Sequence, residues 1–213
     1  MAQVPVILST AYFPPIQYYS KIVEFSHIII ESEESYFRQT YRNRCQILSG
    51  NGVISLSIPI VKNENSRCIR DVAIDYSSAW QREHYQAIKS AYRKSAYYDF
   101  YMDDFAVFFE KKEKFLFDLN HKIILTCNEI VGIERIFERT ESFQKTIPDT
   151  TDFRYGINPK SQQQKEDNGF VAQTYYQVFS EKFGFVENLS VLDLIFNEGP
   201  LSLEILKRSI KLQ

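Results

Sequence analysis

Apolar residues along this chain follow two rhythms. Near the N-terminus they form short contiguous blocks. VPVILS (Val4 to Ser9) and HIIIE (His27 to Glu31) are β-branched and of strand length, which predicts two buried strands. Between them, IQYYSKIVEF (Ile16 to Phe25) spaces Ile16, Tyr19, Ile22 and Val23 along one helical stripe, after the punctuation of Pro14-Pro15. Strand, turn, helix and strand in so short a span predict a parallel βαβ unit.

Alternation takes over next. CQIL (Cys45 to Leu48) and VISLSIPI (Val53 to Ile60) flank SGNG, whose Asn51-Gly52 supplies the positive φ of a tight hairpin turn. Ile54, Leu56, Ile58 and Ile60 alternate with Ser55, Ser57 and Pro59, so the second strand has one core face, and Pro59 marks either a sheet edge or the strand's end. IRDVAID (Ile69 to Asp75) reads as a further strand. From Ser78 the period is helical, with Trp80, His84, Ala87 and Ala91 on one arc. A longer helix with an internal break is predicted over Tyr101 to Val131, where Phe109, Leu116, Asn120, Ile123 and Cys127 recur in phase and Gly132 is the C-cap. Ile147 to Gly169 reads as a long irregular loop, followed by helices at Ala172 to Phe183, Ser190 to Phe196 and Leu201 to Lys211.

The expected fold is therefore α/β, or α+β: an N-terminal βαβ plus an antiparallel hairpin in a mixed sheet, and a mainly helical C-terminal half. It is read as one domain over 1–213, with sheet elements in 1–77, helices in 78–146, the loop in 147–170 and C-terminal helices in 171–213.

An apolar fraction of 44% and an aromatic fraction of 15% suffice for a real core. A net charge of −2 argues against a nucleic-acid partner of the basic kind. Cys45, Cys68 and Cys127 form neither a disulfide framework nor a zinc motif, which fits a reducing compartment. With no signal-like n-region and no apolar run of ~20 residues, a cytoplasmic protein without a membrane span is expected. No Walker loop, GxGxxG, GxSxG or His/Cys cluster occurs, so no metal is expected and no cofactor is named.

Charge is distributed unevenly. Residues 38–70 hold Arg38, Arg42, Arg44, Lys62, Arg67 and Arg70 against Glu64 alone. Guanidinium forks bind phosphate or carboxylate bidentately, so an anionic small molecule such as a nucleotide sugar is one reading. The other is a solvated hairpin whose arginines pair with Glu31, Glu33 and Glu34. Tyr41, Arg42, Asn43 and Arg44 (YRNR) join rings to cations, a combination suited to stacking a base or sugar above its phosphates. Tyr12, Tyr18 and Trp80 add further rings. His84, on an apolar helical face, serves either as a hydrogen-bonded core residue or as a general base. Asn120, inside an apolar stripe, must hydrogen-bond either backbone or a ligand.

The order of several motifs resembles the WbqC-like family of bacterial proteins: YFP (Tyr12 to Pro14), Tyr18-Tyr19, YRNR, the hairpin ending in LSIP (Leu56 to Pro59), Trp80, His84, Tyr97-Tyr98, LFDLN (Leu116 to Asn120), YYQVFSEKFGF (Tyr175 to Phe185) and NLSVLDLIFNEGP (Asn188 to Pro200). The resemblance implies a setting in surface-polysaccharide or O-antigen assembly, with a transferase acting on a nucleotide-activated sugar as the first reading. The alternative is a non-catalytic binding or scaffold protein, and a homo-oligomer stays open. Two departures stand out: Ser9, Thr10 and Ala11 replace the His-Gln-Pro of many relatives, and Arg38 stands where a lysine is expected.

Overall fold

The computed structural model describes residues 4–62, 68–159 and 167–211. Its first elements are β1 (Val6–Ser9), α1 (Ile16–Glu24) and β2 (His27–Glu31). β1 and β2 pair in parallel from Val6 opposite Ile28 to Ser9 opposite Glu31, so the βαβ start is present. Helix α1 is buried from Ile16 through Val23, including Lys21, which pairs with Asp167 and Glu24. Its ends are closed by distant chain. Ile16 N–H donates to the Leu189 carbonyl and Gln17 N–H to Asn188 Oδ1, while Arg135 donates to the Ile22 and Val23 carbonyls.

The hairpin strands are β3 (Arg44–Ser49) and β4 (Gly52–Ser57), joined through Gly52 at φ 101°. Leu56 and Ile58 are buried and Ser55 and Ser57 exposed, as alternation requires. The hairpin forms its own two-stranded sheet, whereas the expected architecture placed it in one mixed sheet with the βαβ unit. The physical reason lies in later chain: both flanks of the β1–β2 pair are filled by other parallel strands. The IRDVAID segment is a single 3-10 turn at Ile69–Asp71 rather than a strand. Ala73 and Ile74 then make isolated bridges to Phe115 and Ile60.

Next come α2 (Trp80–Tyr92), α3 (Tyr98–Glu110) and α4 (Leu116–Val131). The long helix of the sequence reading is thus two, divided at Lys111–Phe115. Gln81 of α2 caps the break by donating to the Phe108 and Lys111 carbonyls. Gly132 ends α4 at φ 76°, the left-handed geometry of a C-cap.

Two strands absent from the sequence reading, β5 (Ile136–Arg139) and β6 (Thr151–Asp152), complete a parallel sheet of order β5-β2-β1-β6. Residues 160–166 of the expected loop lie outside the described residues. The expected Ala172 to Phe183 helix shrinks to one turn, α5 (Ser180–Phe183). α6 (Val191–Glu198) and α7 (Ser202–Arg208) close the chain. Seven residues of α6 are buried, and its Phe196 ring lies 5.2–5.6 Å from Tyr92, Tyr98 and Phe105. One hydrophobic cluster runs from Val6 to Leu206.

Candidate functional site

Thr10–Pro15 leaves the C-terminal end of β1, where ligands collect in open α/β sheets. It does not form a loose lip. Asn120, on α4, donates from one buried amide to Thr10 Oγ1 (3.2 Å) and to the Arg42 carbonyl (2.8 Å). Tyr12 N–H donates to the Tyr41 carbonyl at 2.8 Å, and Tyr18 OH to the Ser9 carbonyl at 2.8 Å. Phe13 holds φ 38°, which a bulky residue rarely adopts. Its ring is fixed against Phe105 and Phe109, and its carbonyl accepts from Ser190 Oγ. The opening stretch and YRNR are therefore stapled into one buried wall.

The rings expected to stack a ligand lie inside that wall: Tyr12, Tyr18, Tyr41 and Trp80 are all buried. His84, 5% exposed, accepts or donates with Tyr12 OH through Nδ1 at 2.9 Å and hydrogen-bonds the Ser57 backbone. Its ring centroid lies 5.1 Å from that of Trp80. Burial pulls the His84 pKa down to about 4, against the Ser57 bond, so the imidazole is neutral at pH 7.

Arg42 also points its charge inward. It grips Glu34 with two bonds of 2.7 and 2.6 Å, and its guanidinium lies over Phe37 and Tyr155. Burial raises the Glu34 pKa, while the Arg42 bonds and charge oppose that rise. Beside this pair, Arg154 joins Glu31 (2.7 Å) and Asp152 (2.6 Å), and Thr140 donates to Glu31. Arg70 pairs with Glu33. Sequence reasoning missed Arg154 and Thr140, since nothing local marks an arginine in a polar loop as the hub of a buried network.

The remaining cations gather in the open. A cleft of about 390 Å³ is lined by Tyr36, Arg38, Asn43, Arg44, Lys62 and Asp75 among others. Among the described residues, Arg38, Arg44 and Lys62 have no carboxylate partner within ion-pair distance. Arg67 lies outside the described residues. Asn43 Nδ2 is committed to the Ile58 carbonyl at 2.8 Å, which leaves its buried Oδ1 without a donor, and Arg44 Nε is likewise buried without an acceptor. Arg44, Arg38 and Arg42 all pull the Tyr36 pKa down against the larger effect of burial, so their fields converge on one phenol. A larger cavity of about 910 Å³ lies at the C-terminal end of α1, but its cations are mostly spent: Lys21 on Asp167 and Glu24, Arg135 on backbone carbonyls, Arg208 on Glu204.

The profile of the WbqC-like protein family matches residues 10–183, a span that holds the stapled loop, YRNR, the hairpin, α2 to α4 and the cleft. The chain belongs to the WbqC-like protein family. A relative, the uncharacterized protein Rv1507c of Mycobacterium tuberculosis, is 23% identical over 215 residues, covering 91% of this chain and 93% of its own. No solved structure matches the chain.

Within this WbqC-like protein the matched span stops at Phe183, ahead of the Asn188 to Pro200 stretch that also carried the resemblance. That stretch is structural in part, since Leu189, Asn188 and Ser190 close α1 and the Phe13 turn. Among the described residues, no helix is long and apolar enough to cross a membrane, and no group of three His, Cys, Asp or Glu is placed to hold a metal ion.

Proposed function

We propose that this WbqC-like protein binds a phosphate-bearing precursor of surface-polysaccharide assembly, of the nucleotide-sugar type, in the cleft of Arg38, Arg44 and Lys62. The observation that carries the reading is three cations that have no carboxylate partner among the described residues and line one small cleft. A surplus of positive charge, here three cations against the Asp75 carboxylate in the lining, concentrates anions, and guanidinium groups suit phosphate oxygens. The polysaccharide setting is what the family resemblance implies.

The transferase reading adds turnover at that cleft, with His84 as its base. Its burial and its bond to Tyr12 OH favour a positioning role for His84, holding the Tyr12 loop to the β4 backbone. The same burial favours the second reading, a binding protein without catalysis, because His84 is sealed in the core and does not line the cleft.

Thermal stability in the presence of uridine diphosphate glucose tests the binding. At a hundredfold excess over Kd a bound ligand adds about 2.7 kcal/mol, equivalent to roughly 5–10 °C for a chain of this size. Arg44→Gln should remove most of that shift. An equal shift in wild type and variant places the ligand elsewhere and defeats the assignment. Release of uridine diphosphate over time would separate transferase from binding protein.

A further inference from the structure

The lining of the cleft is chemically two-sided. Arg38, Arg44 and Lys62 offer donors and positive charge, whereas Asp75 offers a carboxylate and Asn43, also in the lining, carries a buried unpaired Oδ1. Asn43 is 8% exposed, and the Nδ2–Ile58 bond fixes which way its amide is turned, so the idle atom is the acceptor. An unpaired buried acceptor is costly and is rescued by a ligand that brings a hydroxyl or amino hydrogen. Asp75 is held as an ionised carboxylate by Ser77, and a carboxylate at the rim repels a bare polyanion but accepts from hydroxyls. At about 390 Å³ the space lies near the lower end of ligand pockets. Tyr12, Tyr18, Tyr41 and Trp80 are sealed in the core behind it, and the half-buried Tyr36 supplies a ring to the lining.

From these features we infer that the cleft selects a small phosphorylated polyol, with phosphate and hydroxyl or amino donors in one molecule. The inference rests on the anion-binding reading above and narrows it: the sugar-phosphate end of a precursor is recognised, and a nucleotide attached to it extends outside.

Calorimetric titration at low ionic strength uses four probes: glucose 1-phosphate, methyl phosphate, inorganic phosphate and uridine diphosphate. Glucose 1-phosphate is expected to bind about tenfold or more tightly than methyl phosphate, the gain of satisfying one buried acceptor. Uridine diphosphate, despite its extra charge, should bind more weakly than glucose 1-phosphate. The exposed pair Arg38→Gln with Lys62→Gln, whose folding is verified by its melting curve, should weaken every phosphate probe about tenfold or more. Equal binding of glucose 1-phosphate and methyl phosphate would overturn the polyol inference and leave the anion site standing. Tightest binding by uridine diphosphate would overturn it in favour of base recognition. No binding by any of the four would overturn both readings.

Discussion

His84→Gln and Asp193→Asn are expected to tilt the pH dependence of stability in opposite directions. Burial favours the neutral form of each group, which means losing a proton for the histidine and keeping one for the aspartic acid. His84 falls from 6.5 to about 4. Between those values the unfolded chain binds a proton that the folded chain refuses, so stability drops as pH falls from 6.5 to 4 and then levels. At about 1.4 kcal/mol per decade, that is roughly 3 kcal/mol. Asp193 rises from 3.8 to about 6 because burial outweighs its hydrogen bonds from Tyr175 and Gln177. Here the folded chain holds the extra proton, so stability drops as pH rises from 3.8 to 6, again by roughly 3 kcal/mol. In the wild type these slopes overlap and nearly offset. Removing His84 should expose the Asp193 slope, and Asp193→Asn should expose that of His84. Urea unfolding between pH 4 and 7, followed by the fluorescence of Trp80, the single tryptophan, measures both. Only differences from wild type are compared, so other titrating groups cancel. Difference curves flat to within about 1 kcal/mol would refute the reasoning.

Two further substitutions test the packing behind the site. Gly199 has φ 49°, and a Cβ there would stand 2.6 Å from the Tyr97 ring. Gly199→Ala should therefore cost roughly 2–4 kcal/mol, whereas Gly132→Ala, also at positive φ but in open space, should cost only about 1 kcal/mol. Equal costs in urea titration would show that the Tyr97 contact yields. Arg42→Leu strands Glu34 in the interior and should cost about 3–5 kcal/mol. Adding Glu34→Gln should recover part of it, and a double variant no better than the single would rule out the unpaired charge as the cause.

Local pattern revealed those elements whose own residues carry the signal. β1 and β2 are contiguous β-branched runs, the hairpin has Asn51-Gly52, and α4 ends at Gly132. β5 and β6 escaped because they are four and two residues long, largely exposed, and defined by pairing with β2 and β1. The expected helix at Ala172 to Phe183 failed for a related reason. Tyr175 and Gln177, two residues apart, are buried together because both bond Asp193, a partner sixteen or more residues away. The basic stretch was legible as composition, and so was Asn120 as a buried amide. Which arginine finds a carboxylate could not be read locally, because Glu34 and Glu33 are brought to their partners by the path of the chain after β2.

That sorting of charges is what separates the proposed cleft site from a merely basic surface. A surface carrying all six cations would attract any polyanion and lose it to salt. Arg42 and Arg70 are instead neutralised by Glu34 and Glu33, and the Arg42 pair is buried within the wall that Asn120 staples to the opening loop. Among the described residues, what remains outward is a short cationic face beside the Asp75 carboxylate, with the unpaired Asn43 Oδ1 buried in the lining residue beneath. The aromatic opening stretch contributes by holding that face in place: through Tyr12 to His84 and Tyr41, and through Thr10 to Asn120, it fixes the backbone from which Asn43 and Arg44 project. Preorganised polar groups of this kind bind with little loss of side-chain entropy, so the selectivity proposed for the cleft rests on the buried wall as much as on the charges it displays.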